Sequence, residues 1–354
     1  MIVGGDMEFG VFAEQTRNGA NQEEAFREML ALADAAESWG LDVFWVAEML
    51  FNPARSILSG PLLVASWIFS RTKRLRVGTA VQLLPLNHPL RTAGEVTTLD
   101  QLSQGRFNFG IGRSGSPRAY DALGVPYAES PDRFFEALEI MKEAWKGERF
   151  SYEGKFYRFT DVAVAPRPYR PPHPPLRMAA VTPETFPRVA KMGLPIFVGL
   201  RGMSIPELAG HLRIYRDAWR EAGHPGDGDA CLRIPVYGAP TESAATEEPK
   251  ETITYYFRRQ ADLTRAPMGR AGTGSVERRQ TQAQRLGSLT YDEILTTKVA
   301  FGTGPGLVDR LVQLKEELGV NGIAAELNPG GLLTTDQELR SLRILTHEVA
   351  PKLK

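Results

Sequence analysis

The chain has 354 residues, with 42 lysines and arginines against 42 aspartates and glutamates, and 42% of its residues are hydrophobic. Nucleic-acid binding is typical of chains with an excess of basic residues, and this chain has none because its formal charge is zero. No nucleic-acid partner is therefore predicted. Cys231 is the only cysteine, which excludes an intramolecular disulfide and favours a reducing compartment. No stretch reaches the ~18 apolar residues of a membrane span, and the first residues lack a signal-peptide pattern. We expect a soluble cytoplasmic protein with no membrane partner.

Predicted strands and helices alternate in the first part of the chain. The pattern predicts strands at 7–13, 42–48, 74–85 and 107–112, and helices at 23–40, 61–72, 90–105 and 132–147. The strands are apolar at nearly every position, which is typical of a parallel sheet covered by helices on both faces.

The alternation continues less regularly in the second part. An insertion at about 148–176 predicts a small hairpin and a proline-rich connector. Strands follow at 176–181, 195–200, 231–239 and 322–327, and helices at 183–193, 204–222, 305–318 and 334–349. About eight strand–helix units at this length favour an α/β fold of the TIM (β/α)8 barrel type, as a single domain over 1–354, rather than a doubly wound sheet.

The stretch from about 241 to 300 is polar and dotted with glycine. A long irregular segment inside a compact domain is usually a functional lid or a disordered segment. We expect a long loop over the C-terminal face of the barrel, with a mobile lid at about 262–290. Disorder without function is the alternative.

Two glycine-rich strings allow more than one interpretation. GIGRSG (110–115) formally matches the dinucleotide fingerprint, but no apolar helix follows it, and we favour a glycine-rich loop of the barrel. GTGPG (302–306) is either a phosphate cradle at a helix N-terminus or a tight loop, and we favour the loop. The five histidines have no metal-binding spacing, so no catalytic metal is predicted.

Two arginines are candidate anion ligands. Arg113 follows the fourth predicted strand, and Arg133 falls in the first turn of the next helix. In a barrel both reach the C-terminal face, which carries the active site. Two converging guanidiniums suit a phosphate, whose oxygens accept bidentate charge-assisted hydrogen bonds. The alternative is that each arginine pairs with a surface carboxylate.

The string NHPLRTAGEVTTLDQLSQGRFNFGIGR (87–113), with GLDVFWVAE (40–48) before it and RMAAVTPETFPRVAKMGLP (177–195) after it, resembles the bacterial luciferase-like flavin-dependent monooxygenase family. The resemblance runs from EFGVF (8–12) to the last helix, and its specific part lies between His88 and Phe107. It implies a TIM barrel, usually dimeric, that binds reduced FMN at the barrel mouth and uses dioxygen to oxygenate a substrate.

The resemblance also assigns cofactor-binding positions. They are Thr79, Ala80, Val81, Arg113, Arg133, Val181, Thr182 and Thr185. It places the two arginines near the flavin phosphate and matches the two threonines at 182 and 185 to the family's hydroxyl and amide cradle. Val181 stands where family members carry serine or glutamate. Ala80 and Val81 match the strand under the isoalloxazine, where the resemblance implies a cis peptide bond.

Glu48 matches the family's glutamate at the end of the second strand, beside the flavin, and is the candidate catalytic residue. A carboxylate buried there must accept hydrogen bonds or rise in pKa. Luciferases continue with a catalytic histidine, but this chain has Met49 and Leu50, and Gly112 stands where luciferases carry a cysteine. Aldehyde oxidation with light emission is therefore in doubt. The predicted walls of the substrate pocket, some of which will face ordinary core, are Phe12, Trp45, Met49, Leu50, Leu83, Phe197, Leu200 and Tyr237.

The leading hypothesis is an FMNH2-dependent monooxygenase that uses dioxygen to oxygenate an organic small molecule through a flavin hydroperoxide. Because the sequence shows no second nucleotide site, a separate flavin reductase, bound transiently, would supply reduced FMN. A homodimer is the default assembly. Two alternatives stay open: a deazaflavin-dependent oxidoreductase that moves hydride without oxygen, and a non-catalytic flavin-binding partner subunit. The substrate cannot be named from the sequence.

Overall fold

Apolar runs of the sequence form short strands at the centre of the molecule. The computed structural model describes residues 6–14, 21–265 and 276–354. In chain order the described strands are β1 (Glu8–Ala13), β2 (Val43–Val46), β3 (Arg76–Thr79), β4 (Gln82–Leu83), β5 (Phe107–Gly112), β6 (Phe150–Glu153), β7 (Arg158–Val162), β8 (Leu176–Ala179), β9 (Ile196–Gly199), β10 (Ala230–Gly238), β11 (Ala300–Gly302) and β12 (Gly322–Glu326).

Eight of these strands close into a parallel barrel. The ring runs β1, β2, β3, β5, β8, β9, β10 and β12, and the pairing of β12 with β1 closes it. The short strand β4 extends the pairing with β5 beyond the end of β3, and β11 pairs with the end of β10. The predicted TIM (β/α)8 barrel is confirmed.

Helices surround the barrel. They are α1 (Gln22–Ser38), α2 (Pro61–Arg71), α3 (Pro89–Ser103), α4 (Pro117–Ala122), α5 (Ser130–Trp145), α6 (Thr185–Lys191), α7 (Ile205–Glu221), α8 (Glu242–Glu247), α9 (Lys250–Arg265), α10 (Val276–Ser288), α11 (Tyr291–Thr297), α12 (Gly304–Leu318), α13 (Thr335–Ile344) and α14 (Ala350–Leu353). Capping boxes begin three of them, at Ser204, Thr290 and Thr334, where side chains satisfy the first free N–H groups. Among the described residues, no helix has the length and apolar character needed to cross a bilayer.

The alternation of side chains along each strand divides the core into two layers. On β1, Phe9 and Val11 point outward and pack with the surrounding helices, whereas Phe12 points into the barrel. The interior layer is small and joins Phe12 to Trp45 and Phe197. The Trp45 ring occupies the space that side chains at Gly10 and Gly78 would need.

The predicted hairpin in the insertion is present as the antiparallel pair β6 and β7. Glu136 on α5 fixes it, because its carboxylate accepts hydrogen bonds from the backbone N–H groups of Phe156 and Tyr157 at 3.0 Å each. The hairpin therefore stands against the same helix whose first turn carries Arg133.

The structure corrects the expectation of an irregular segment at 241–300. Helices α8 to α11 occupy most of it, and α9 packs on α10 and α11 through a cluster of buried residues. These residues are Ile253, Tyr256, Phe257, Ala261, Leu286, Ile294 and Val299. Their spacing of three or four along α9 is that of an amphipathic helix, which the high polarity of the segment concealed. Residues 266–275, at the centre of the predicted lid, lie outside the described residues.

Candidate active site at the barrel mouth

The wall of the mouth formed by β3, β4 and β5 is built on close backbone contacts. The peptide bond between Ala80 and Val81 is cis, as the resemblance implies. The buried Thr79 hydroxyl donates to the Gly110 carbonyl at 2.6 Å, so it ties β3 to β5. A Cβ at Gly110 would lie 1.9 Å from the Thr79 carbonyl oxygen, and one at Gly112 would lie 2.3 Å from Val81 Cγ2. Gly110 and Gly112 of the GIGRSG string therefore serve this close approach, whereas a Cβ at Gly115 would meet no atom within 4 Å.

Glu48 lies against the same wall. Its side chain is buried, with 8% of the residue exposed, and Oε2 accepts the Leu83 backbone N–H at 2.6 Å. The Gln82 amide donates to Oε1 at a longer distance of 3.3 Å. Burial raises the pKa of Glu48 to about 7, although hydrogen bonds from Leu83 and Asn87 act to lower it. Glu48 can thus hold or release a proton near neutral pH.

Arg113 lies at the end of β5 and holds its guanidinium beside the first turn of α5. Its Nη1 donates to Ser130 Oγ at 2.7 Å, and its guanidinium carbon lies 5.5 Å from the centre of the Tyr127 ring. Arg113 forms no ion pair with a carboxylate within the described part of the chain. Its charge is therefore available to an anionic ligand.

Arg133 lies in the same first turn, but its charge is already paired. Its Nε and Nη2 contact Glu129 Oε2 at 2.9 and 2.8 Å, and its guanidinium carbon lies 4.2 Å from the centre of the Phe156 ring. The two arginines therefore contact the adjacent residues Glu129 and Ser130 and lie in one region of the molecule. An anion bound there would compete with Glu129 for Arg133.

The cradle predicted after β8 is also at the mouth, because β8 neighbours β5 in the ring. The hydroxyls of Thr182 and Thr185 lie 3.0 Å apart, and both side chains are half-buried. Val181 is 58% exposed. These two hydroxyls and the Arg113 guanidinium follow neighbouring strands, and hydroxyl and guanidinium donors suit a phosphate monoester.

The structure brings together only part of the predicted pocket. Phe12, Trp45 and Phe197 form the floor of the mouth, and the rings of Trp45 and Phe197 meet edge to face at 4.8 Å. Met49 and Leu50 are half-buried on the connection after β2.

Two predicted pocket residues lie elsewhere. Leu200 is buried in the outer layer between barrel and helices. Tyr237 packs in a separate cluster at the far end of β10, and its hydroxyl contacts Glu248 and Arg340. Neither side chain joins the floor residues.

The other half of the mouth, on β1, β9, β10 and β12, carries a charged group that the sequence analysis did not single out. Arg233 Nη2 donates to Glu14 Oε2 at 3.0 Å and to Glu326 Oε2 at 2.7 Å. Arg55 also pairs with Glu14. The Arg233 guanidinium carbon lies 3.6 Å from the centre of the Phe12 ring, so this group rests directly on the floor.

Further cations belong to this group, which we call the mouth arginines. They are Arg55, Arg201, Arg233 and Arg259. Burial alone would raise the pKa of Glu14, but the charges of Arg55, Arg233 and Arg201 lower it to about 2. Glu14, Arg201 and Glu326 each end a barrel strand or follow one within two residues, which is the position of active-site residues in TIM barrels. Their position at the ends of predicted strands is the sequence signal that could have identified these three residues.

Together the fold and the site define a TIM-barrel protein whose mouth combines arginine and threonine side chains, a buried carboxyl group and an aromatic floor. A family model described as luciferase-like monooxygenase matches residues 7–322, which is most of the chain. The chain belongs to the luciferase-like monooxygenase family.

Individual curated proteins are similar to parts of this chain. The uncharacterized protein y4wF of Sinorhizobium fredii is 36% identical over 52% of this chain and 54% of its own length. The oxygenase component of flavin-dependent trigonelline monooxygenase from Acinetobacter baylyi is 26% identical over 71% of this chain and 70% of its own. The chain matches between 54% and 59% of the length of three curated relatives.

Among solved structures, the similarity concerns the fold. The oxygenating constituent of 3,6-diketocamphane monooxygenase from Pseudomonas putida, a type II Baeyer-Villiger monooxygenase in complex with FMN, has a TM-score of 0.83. The two chains are 22% identical, and the match covers 99% of each.

Proposed function

We propose that this protein is an FMNH2-dependent monooxygenase that uses dioxygen to oxygenate an organic small molecule, by the flavin hydroperoxide route. Reduced FMN comes from a separate reductase, as the name "oxygenase component" of the Acinetobacter baylyi relative suggests. The protein acts as a cytoplasmic homodimer. The observation that carries the proposal is Arg113, a guanidinium without an ion pair among the described residues, on the strand next to the Thr182 and Thr185 hydroxyls.

The donor set fits FMN. Arg113 and the two threonine hydroxyls would hold its phosphate, with Arg133 as a weaker partner because Glu129 already neutralises it. The half-buried residues Ala80 and Val81 would support the ring. When bound, the flavin supplies the two electrons and the activation of dioxygen, which no protein side chain provides. This chain's residues bind, orient and exclude water.

Glu48 is a side chain that can hold and release a proton beside the flavin ring. Its hydrogen bond to the Leu83 N–H fixes one carboxyl oxygen, and the other faces the Gln82 side chain. The protonated carboxyl can donate to the Gln82 amide oxygen after rotation of that amide, since Gln82 Oε1 is buried without a partner among the described residues. Glu48 thereby takes the proton-holding role for which luciferases use histidine.

A second candidate is a deazaflavin-dependent oxidoreductase that transfers hydride without oxygen. A specific observation supports it, because the longer acidic tail of a deazaflavin cofactor requires more cations than Arg113 and Arg133, and the mouth arginines are further cations. They lie on β10, on α9 and on the connections after β2 and β9, rather than beside Arg113 after β5 and the threonine pair after β8. We therefore rank FMN first.

Ultrafiltration of the purified protein with each reduced cofactor under anaerobic conditions separates the candidates. We expect the protein to retain reduced FMN and not reduced deazaflavin. On mixing with oxygenated buffer, the retained FMN should reoxidise at a rate different from that of free FMN, because the barrel excludes water and controls access of oxygen. Retention of the deazaflavin alone would establish the second candidate. Retained FMN that reoxidises at the rate of free FMN would indicate a non-catalytic partner subunit.

Substitutions of the two phosphate arginines should have unequal effects. Arg113→Gln is expected to weaken FMN binding by about 10-fold to 100-fold, as for loss of a charge-assisted hydrogen bond worth roughly 1.5–3 kcal/mol. Arg133→Gln should weaken it less, because Glu129 already takes much of that charge. Fluorescence titration with FMN measures the affinity of both variants. Arg220→Gln, in the last turn of α7, is the matched control. An effect of Arg133→Gln as large as that of Arg113→Gln contradicts this assignment.

A further inference from the structure

Two of the mouth arginines form ion pairs, and two do not. Arg55 and Arg233 pair with Glu14, and Arg233 also pairs with Glu326. Arg201 and Arg259 form no ion pair with any carboxylate in the ranges 6–14, 21–265 and 276–354. Two of the four guanidiniums, those of Arg201 and Arg259, are therefore not neutralised by an ion pair with a described carboxylate.

Donors of the same region are buried and have no acceptor among the described residues. They are Nε of Arg233, Nε and Nη2 of Arg259, and Nε2 of Gln260. Gln260 is 3% exposed, so its amide cannot be satisfied by bulk water. Because buried donors in folded proteins nearly always have an acceptor, these groups point to an oxygen-bearing ligand.

Helix α9 brings Arg259 and Gln260 to the mouth. Tyr256 faces Glu326, with 3.5 Å between Tyr256 Oη and Glu326 Oε2. Arg259 and Gln260 follow Tyr256 by three and four residues, so all three side chains lie on one face of the helix. Arg259 Nη1 reaches the Ala54 carbonyl at 3.4 Å, on the connection that also carries Arg55. The face of α9 therefore covers the group formed by Glu14, Glu326 and the mouth arginines.

Beneath the charges lies an apolar surface. Phe12 contacts the Arg233 guanidinium on one side and belongs to the same buried cluster as Trp45 and Phe197. A ligand held here thus meets guanidinium donors at one end and aromatic rings at the other. Guanidinium forks match the planar oxygens of a carboxylate in two parallel hydrogen bonds.

We propose that the mouth arginines bind the carboxylate of an organic anion, whose apolar part lies over Phe12 and Phe197. The anion is the substrate, an assignment that rests on the proposed function. Its position on β1, β9, β10 and β12 leaves Arg113 and the threonine pair to the flavin phosphate. Arg201 is the decisive ligand, since it follows a barrel strand and forms no ion pair with a carboxylate of the described residues.

Calorimetric titration with benzoate and with its neutral counterpart benzamide tests this assignment. Both probes are titrated into the protein alone and into the protein saturated with FMN. Benzoate is expected to bind at least about tenfold more tightly than benzamide, because only benzoate carries the charge. Arg201→Gln should remove that preference and leave benzamide binding unchanged. Arg220→Gln, which removes an arginine at the opposite end of the barrel, should retain it.

The remaining outcomes are decisive as well. Equal affinity for the two probes, or no binding of benzoate at millimolar concentration, overturns the proposal. A preference for benzoate over benzamide that persists in Arg201→Gln also overturns the proposal. Competition by inorganic phosphate as strong as that by benzoate would assign the arginines to a phosphate instead. FMN titration of the same samples keeps the two proposals apart, because loss of FMN binding with benzoate binding intact overturns only the proposed function.

Discussion

Replacement of Arg233 by methionine is expected to lower the free energy of unfolding by about 3 to 5 kcal/mol, the cost of removing one partner from a buried ion network. The side chains of Glu14 and Glu326 are 9% and 5% exposed and both accept from Arg233 Nη2. Without that cation Glu326 keeps, among the described residues, only the long contact to Tyr256. The carboxylates of Glu14 and Glu326 would then remain buried with fewer hydrogen-bond partners.

Urea denaturation measures this change, with Arg149→Met as the matched control. Arg149 pairs with Asp161 at the surface, where solvent screens the pair, so its replacement should have a far smaller effect. Adding Glu326→Gln to Arg233→Met should recover part of the lost stability, because the substitution removes one uncompensated charge. A loss no larger than that of the control would show that the network is solvated in solution.

Wild-type protein should lose about 3 kcal/mol of stability relative to Glu48→Gln as the pH rises from about 4.5 to about 7. Burial is the cause of the raised pKa of Glu48, from 4.5 to about 7. Below pH 4.5 the carboxyl is protonated in both folded and unfolded chains. Between these values the unfolded chain releases its proton while the folded chain keeps it, so folding must take up a proton and becomes less favourable.

The measurement is the difference in unfolding free energy between wild type and variant across that pH range. Glu153→Gln controls for the chemical change itself, since the side chain of Glu153 is 72% exposed. A difference that stays constant with pH would mean that the Glu48 carboxyl ionises in the folded protein as it does in water. A wild type that gains stability relative to Glu48→Gln as the pH rises would mean that folding lowers the pKa of Glu48. Either result contradicts the prediction.

The barrel was predictable because its strands are apolar on both faces and its helices begin and end at clear signals. The same property limits the prediction of the pocket. Phe197 and Leu200 are both apolar and buried, yet one faces the barrel interior and the other the helices. Hydropathy cannot separate two apolar layers, so only the register of β9 assigns each residue to its side.

The charged half of the mouth shows a second limit. Glu14, Arg201 and Glu326 could have been selected by their position at strand ends. Arg55 and Arg259 could not, because the first lies on a connection and the second on a helix of the segment that the polar composition made difficult to interpret. By contrast, Arg113 was selected by its position after a predicted strand and Thr182 by the family resemblance, and the structure places them after neighbouring strands.

The closeness of the β3 and β5 backbones has a consequence for altering the specificity of this enzyme family member. Neither Gly110 nor Gly112 has room for even a methyl group, so that side of the active site is closed to redesign. New specificities are to be sought on the opposite side, at Arg55, Arg201 and Arg259, which lie on two connections and a helix rather than on the barrel strands.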